Sequence, residues 1–301
     1  MSKLFGAVEA GGTKFVCAIG VGPEDIHDIV RIDTTTPAET LGRTIAYFRQ
    51  QHAHHSLDAI GIGSFGPLDP DATSPTFGFI TSTPKPGWSN TDIVGTLRNA
   101  LHVPIGFDTD VNAAAFGEHL WGAVAGLHTF VYLTLGTGIG GGGMVGGKLL
   151  HGLLHPEMGH ILVPHDRTAD PFGGVCPFHA DCFEGLASGP ALHKRWGAPA
   201  EALPSDHPAW TLEAQYIGSA LVNFICTLSP QRIILGGGVM HQRSLFPLIR
   251  NQVRSLLHEY IRVPALGGGL EDFIVPPALG DRSGILGAIA LAQLASTEAS
   301  A

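Results

Sequence analysis

One short pattern occurs twice in this chain and limits what it can fold into. An apolar run, a turn built on glycine and threonine, and a second apolar run follow one another at residues 4–20, LFGAVEAGGTKFVCAIG, and again at 131–145, VYLTLGTGIGGGGMV. Each reads as strand, tight turn and antiparallel strand. Two such units about 120 residues apart predict a duplicated α/β domain. Glycine lets backbone approach a ligand closely, and successive N–H groups in a tight turn make an anion-binding concavity. The first turn offers Gly11, Gly12, Thr13 and Lys14 to phosphates, with Glu9 held near a metal ion; the second offers Gly136, Thr137 and Gly138. Taken alone, the first turn reads more readily as an ordinary hairpin. Their recurrence favours two loops that clamp a polyphosphate in a cleft.

Composition narrows the field further. A chain of 301 residues predicts two domains at about 150 residues each. With 44% hydrophobic and 14% charged residues, there is ample material for a core, and disorder is excluded. The net charge of −9 speaks against a nucleic-acid surface, which needs clustered Lys and Arg. Glu9 and the first glycine loop interrupt the N-terminal apolar run, so no signal peptide is expected there. The apolar run Ile285–Ala295 is too short to span a membrane. A soluble, cytoplasmic protein is the expectation. The four cysteines are not a disulfide framework; Cys17 falls in a strand pattern and Cys226 in a helix pattern, where thiols are ordinary.

Taken in order, residues 39–56 have helical spacing, and His52, His54 and His55 read as its solvated end. Residues 57–69 run as a strand into Gly66-Pro67-Leu68-Asp69, a strand-end turn of the kind that meets ligands in α/β folds. Residues 70–90 form a long loop, and 91–101 a helix capped by Asn90 or Thr91. Residues 103–121 give a strand, then Asp108-Thr109-Asp110-Val111-Asn112, then a helix. Helix capping needs only one of those polar residues, so capping and catalysis both stay open on local grounds. Glu157 and His160 lie three apart before another apolar run. Cys176-x-x-His179-x-x-Cys182 puts three metal-type side chains in one loop, with His160 as the fourth; zinc favours such four-coordinate Cys and His sites. Glu184 follows at once, and 186–196 and 212–228 read as helices. Residues 232–254 read as strand, Gly236-Gly237-Gly238 and helix, a third glycine turn suited to a nucleotide's sugar or phosphate. The last helix covers 284–295, with a frayed tail from Ser296.

Two motif matches mislead. Gly138 to Gly143 satisfies G-x-G-x-x-G, with Glu157 about 20 residues on as a dinucleotide site would have it. A strand follows rather than a helix, however, and Pro156 adjoins the glutamate. Gly142 to Lys148 fits G-x-x-x-x-G-K, but Leu149 stands where Ser or Thr would hold Mg²⁺.

At EAGGTK (9–14), GPLD (66–69), PKPGW (84–88), DTDVNAAA (108–115), LTLGTGIGGG (133–142), HPEMGH (155–160), CPFHADCFEGLASGPA (176–191), ILGGGV (234–239) and ALGDRSGILGA (278–288), the chain resembles the ROK family of sugar kinases and repressors. Its Cys-His-Cys form is most similar to the fructokinase branch. ROK repressors carry an N-terminal helix-turn-helix; with the first phosphate loop beginning by residue 9, none is expected.

The resemblance implies two ribonuclease-H-like, actin-like ATPase α/β domains with an inter-domain cleft. Residues 1–118 and 284–301 would form the small domain, and 119–283 the large one, with hinges near 117–122 and 279–284. It implies ATP-dependent phosphorylation of a hexose, foremost D-fructose to fructose 6-phosphate. Asp110 matches the catalytic base, and Gly11, Gly12, Thr13, Gly136, Thr137 and Gly138 match the phosphate loops. Asn112, Glu157, His160 and Glu184 match sugar-contacting positions, with Gly66 beside them. His160 would serve twice, one ring nitrogen on sugar and the other on a structural zinc shared with Cys176, His179 and Cys182. Mg²⁺ would ride on the ATP. Many ROK glucokinases have Asn before the catalytic Asp, where this chain has Thr109. A glucokinase, mannokinase or broad hexokinase is therefore the alternative. A non-catalytic sugar sensor is a third reading, against which Asp110 and both Gly-Thr loops speak. A homodimer is expected on family grounds, with no nucleic-acid or membrane partner.

Overall fold

The repeated hairpin lies at the centre of two sheets that share one strand order. The computed structural model describes residues 3–299, the side chain of His54 excepted. It divides into two units. The first runs to Gly126 and takes in Leu149–Pro156 and everything from Arg282 onward; the second is Leu127–Lys148 with Glu157–Asp281.

The first unit begins with β1 (Phe5–Ala10), β2 (Lys14–Gly22), β3 (Asp25–Asp33), α1 (Pro37–His54) and β4 (Ala59–Ser64). The short pair β5 (Phe79–Ile80) and β6 (Thr91–Asp92) leads to α2 (Ile93–Leu101), β7 (Ile105–Thr109) and α3 (Asp110–Trp121). The second unit holds β8 (Phe130–Leu135), β9 (Ile139–Val145), the first residue of β10 (Lys148–Leu149), α4 (Phe183–Ala187), α5 (Gly189–Trp196), α6 (Ala209–Leu228), β11 (Arg232–Gly236), α7 (Leu245–Leu257) and β12 (Ile274–Val275). The chain closes with α8 (Ser283–Glu298) in the first unit.

The sheet orders are β3-β2-β1-β4-β7 and β10-β9-β8-β11-β12. In each, the central strand pairs antiparallel with its hairpin partner and parallel with the strand on its other side. The duplicated α/β domain expected from the two Gly-Thr turns is thus present as a repeated topology.

In the first sheet the two faces are covered by different means. A Cβ on Gly6 of β1 would press on Phe48 of α1, while one on Gly61 of β4 would run into the backbone of Ala288 and Ala292 of α8. Side chains alternate across a sheet, and Gly6 is paired with Ile60, the neighbour of Gly61. The helices therefore lie on opposite faces. On the α8 side the contact is backbone on backbone: Gly287 packs on Ala113 of α3, and Gly117 on Gly287. This explains the small-residue composition of the last helix.

Three local expectations are corrected. The cap of α2 is Asp92, whose carboxylate accepts from Gly95 N–H; Asn90 sits at φ 59° and Thr91 pairs with Ile80. The helix expected over 186–196 is two, because Ser188 ends α4 and caps α5, where Pro190 follows in the first turn. The tail from Ser296 is helical to Glu298, with Ser296 buried and accepting from the Lys3 ammonium at 3.0 Å. Among the described residues no helix is long and apolar enough to cross a membrane.

Gly61→Ala is expected to destabilise the protein by about 2 kcal/mol or more, because the new methyl must displace helix backbone rather than a flexible side chain. Gly42→Ala, on an exposed position of α1 with open space around it, is the control and is expected to stabilise by about 0.5–1 kcal/mol. Urea unfolding of both variants measures the difference; equal midpoints would refute the backbone contact.

Candidate active site and metal centre

The first Gly-Thr turn is closed by Gly11 N–H donating to the Lys14 carbonyl at 3.0 Å. Thr34 anchors it from β3's end, its hydroxyl donating to the Gly11 carbonyl at 2.7 Å and its N–H to the Thr13 carbonyl at 3.0 Å. Carbonyl oxygens are thereby tied to protein, and Thr13 and Lys14 are left exposed. The second turn is built alike. Gly136 N–H donates to the Gly138 carbonyl at 2.8 Å, and the Gly136 carbonyl accepts from Gly189 N–H at 2.8 Å, with Thr137 exposed. The carboxylate of Glu184, in the first turn of α4, accepts from Ile139 N–H at 2.9 Å. Glu184 thus braces the second loop from the side.

Gly136, Thr137 and Gly238 share one cavity of about 1000 Å³, which is also lined by Gly189, Lys194 and Trp210. The turn after β11 bends at Gly237, φ 88°, where any Cβ would run into the backbone of Leu135. The second loop and the third glycine turn therefore open onto a common space of ligand size. Lys194 and Trp210 carried no such signal in sequence, since they reach the cavity from two different helices.

In the first unit, β7 delivers Asp108-Thr109 directly into α3. The Thr109 hydroxyl accepts from Asn112 N–H at 3.0 Å and caps the helix. Asp110 is left as its first residue, half-exposed, where the helix dipole favours a carboxylate. Its Oδ1 accepts from Val111 N–H at 2.9 Å. Asp108 is the buried partner. Its carboxylate accepts from Thr109 N–H at 2.7 Å and from the Asn112 side-chain amide at 2.9 Å. His151 Nε2 lies 3.1 and 2.9 Å from its two oxygens. The hydrogen bond to Asp108 raises the His151 imidazole above its ordinary value; burial pulls it down and the carboxylate charge pushes it up again. His155 Nε2 accepts from Leu68 N–H at 3.0 Å, beside Gly66 and its cis bond to Pro67. Neither histidine stood out in the sequence, because nothing local ties them to residues some 40 and 90 positions upstream.

His160, Cys176, His179 and Cys182 form one cluster, their ligand atoms all within 4.8 Å of one another. His160 Nδ1 lies 3.7 Å from Cys176 Sγ and 3.6 Å from Cys182 Sγ, and His179 Nδ1 lies 3.7 Å from Cys176 Sγ. Zinc at ordinary Zn–S and Zn–N lengths in a tetrahedron has an S···N edge of about 3.6 Å, so the residues fit that ion. Burial pushes the Cys182 thiol up to about 11, and a bound cation is what would favour its thiolate. A second layer holds the loop. His165 Nδ1 meets the Asp181 carboxylate at 3.0 Å and its Nε2 the Asp170 carbonyl at 2.9 Å. Asp170 in turn bonds Tyr216 and pairs with Arg195 at 3.2 Å. Glu157 is exposed at the start of the short turn that carries His160.

The ROK family model matches residues 5–295. A putative fructokinase of Bacillus subtilis strain 168 is 49% identical, over 97% of this chain and 96% of its own. A fructokinase of Pediococcus pentosaceus is 44% identical, over 97% and 98%. Among solved structures, a ROK family glucokinase from Streptomyces griseus, in complex with glucose and AMPPNP, superposes with a TM-score of 0.76 at 25% identity, covering 97% of this chain and 99% of that one.

The Asp108–His151 pair has a measurable signature. Its contribution to stability is fully present below the ordinary imidazole pKa and is lost as pH rises through the raised folded-state value. In an NMR titration His151 is expected to titrate above an ordinary imidazole, and Asp108→Asn to bring it down. A His151 that titrates alike in both proteins would refute the pairing.

Proposed function

The chain belongs to the ROK family, and from that premise we propose that it is an ATP-dependent hexose kinase that converts D-fructose to fructose 6-phosphate. The structural observation that carries the reading is the duplicated hairpin, an exposed Gly-Thr loop in each unit, together with Asp110 opening α3. The fructokinase names of the relatives supply the sugar. The nucleotide analogue bound by the Streptomyces griseus glucokinase supplies the phosphoryl donor.

In this reading Asp110 accepts the proton of the sugar's primary hydroxyl as that oxygen bonds to the γ-phosphorus and the bond to the departing ADP oxygen breaks. The reaction needs position and charge stabilisation more than covalent chemistry. Gly11, Gly12, Thr13 and Lys14, with Gly136, Thr137 and Gly138, would hold phosphates through backbone N–H groups, hydroxyls and one ammonium. Gly236, Gly237 and Gly238 would carry the nucleotide's sugar or phosphate at the edge of the cavity, and Mg²⁺ would neutralise the phosphates. Gly66, Asn112, Glu157, His160 and Glu184 would read the sugar hydroxyls. The fit of His160, Cys176, His179 and Cys182 supports a structural zinc. Bound there, the ion would supply cross-linking of a segment poor in core residues. His160 turns Nδ1 to the two thiols, which leaves Nε2 for the sugar. A homodimer and a cytoplasmic location belong to the same reading, on the family resemblance.

ATP-dependent ADP release measured over fructose, glucose, mannose and N-acetylated hexosamines tests the proposal; fructose is expected to give the highest kcat/KM. Asp110→Ala is expected to cut kcat by about 10³-fold or more while sugar still binds. Near-normal turnover in that variant would exclude Asp110 as the base.

Elemental analysis of carefully prepared protein is expected to find about one zinc per chain, and chelation to lower the melting temperature. Metal-free protein of unchanged melting temperature would rule the centre out.

A further inference from the structure

Residues 149–156 have no helix and only a stub of strand, yet they belong to the first unit and are pinned to it at two places. His151 is bonded to Asp108, and His155 to the backbone of Leu68. The two histidines are four residues apart, and each reaches one of the two stretches of this unit that carry a proposed sugar contact, Asn112 and Gly66.

The first attachment does more than hold a loop. An ionised carboxylate only accepts hydrogen bonds, so Asp108 requires donors from both neighbours. It therefore turns the Asn112 amide so that Nδ2 faces it, at 2.9 Å, and requires a proton on Nε2 of His151. The Leu150 carbonyl, 3.4 Å from the same Asn112 nitrogen, favours the same orientation. Asp108 is 2% exposed, so its hydrogen bonds act where water does not compete.

We propose that His151 is a positioning residue for the sugar, acting through Asp108 on the amide of Asn112 and fixing the His151–His155 strap over that part of the site. The inference rests on the hexose-kinase reading for what Asn112 touches. It adds that sugar affinity depends on a histidine outside both phosphate loops. Removing His151 takes away its bond to Asp108 and its 3.3 Å contact with Asn112 Nδ2, and loosens the strap that carries the Leu150 carbonyl, so two of the groups that orient the Asn112 amide are lost or slackened. The ATP phosphates, read by the Gly-Thr loops, are unaffected.

The test is a set of kinetic constants for the full chain with Mg²⁺-ATP and fructose. His151→Ala is expected to raise KM for fructose about tenfold or more, as loss of a hydrogen bond to a charged group does. Both kcat and KM for ATP are expected to stay within about twofold of wild type. His151→Gln places an amide N–H where Nε2 stood and is expected to restore most of the sugar affinity. The His151 side chain is 36% exposed, so the variants are expected to fold, and melting temperatures check it. An unchanged KM for fructose in His151→Ala overturns the proposal. So does a common fall in melting temperature, kcat and both affinities, which marks a merely structural residue. Calorimetric fructose binding separates the two readings. A wild-type protein that binds fructose without turnover defeats the kinase assignment, and a tenfold weaker Kd in His151→Ala still supports the strap.

Discussion

Helix α8 can lie on the first sheet only because glycine leaves the backbone bare beneath it. Gly61 meets Ala288 and Ala292, and Gly287 meets Ala113 of α3. At these positions no side chain separates the layers, so the spacing there is set by peptide atoms and has little room to vary. Because α3 is held between α8 and the end of β7, its first turn is held too. The backbone that carries Asp110 and Asn112 is therefore placed in part by packing at the far side of α3. The chain's last helix fixes the geometry of a site whose residues lie about 170 positions earlier, a common arrangement in which rigid elements position residues at their ends.

Polar groups do the same work where regular structure is missing. The strap at 149–156 and the segment between His160 and Cys182 are both too irregular to be held by a core. Each is tied down by a carboxylate withdrawn from water: Asp108 for the first, Asp170 with its partners His165, Tyr216 and Arg195 for the second. A carboxylate in such a place is costly unless its oxygens are bonded, and these are. Glu213, fully buried near Arg195, is the counterexample. Burial raises its carboxyl well above the ordinary range, which favours the neutral acid.

Features encoded over a few residues were legible. The Gly-Thr turns between apolar runs predicted both hairpins, and their repetition predicted the repeated sheet order. Cys176-x-x-His179-x-x-Cys182 with His160 upstream predicted the cluster, since a loop of that length can fold three ligands onto one point. The passage from β7 into α3 was visible in Asp108 to Asn112. Which residue does what was not visible: Thr109 is the cap, Asp108 the buried acceptor and Asp110 the half-exposed carboxylate. Spacing is nearly blind to burial, and burial separates the roles. The cap of α2 was missed for a similar reason, because Asn90 and Thr91 are as good as Asp92 by residue type and only the backbone shows that the helix starts at Ile93, with Asp92 reaching Gly95 N–H.

The sequence by itself therefore determined the duplicated strand–turn–strand units, the metal-type cluster and the acidic start of α3. Each depends on side-chain period, turn chemistry or loop closure within a short stretch, and these are fixed by neighbours in the chain. The tertiary structure alone decided that His151 meets Asp108, that His155 meets Leu68, that Glu184 braces the second Gly-Thr loop, and that Lys194 and Trp210 share a cavity with Gly238. Those meetings join residues far apart in sequence. They follow from how sheets and helices stack, and no local periodicity records which distant side chains that stacking brings within hydrogen-bond reach.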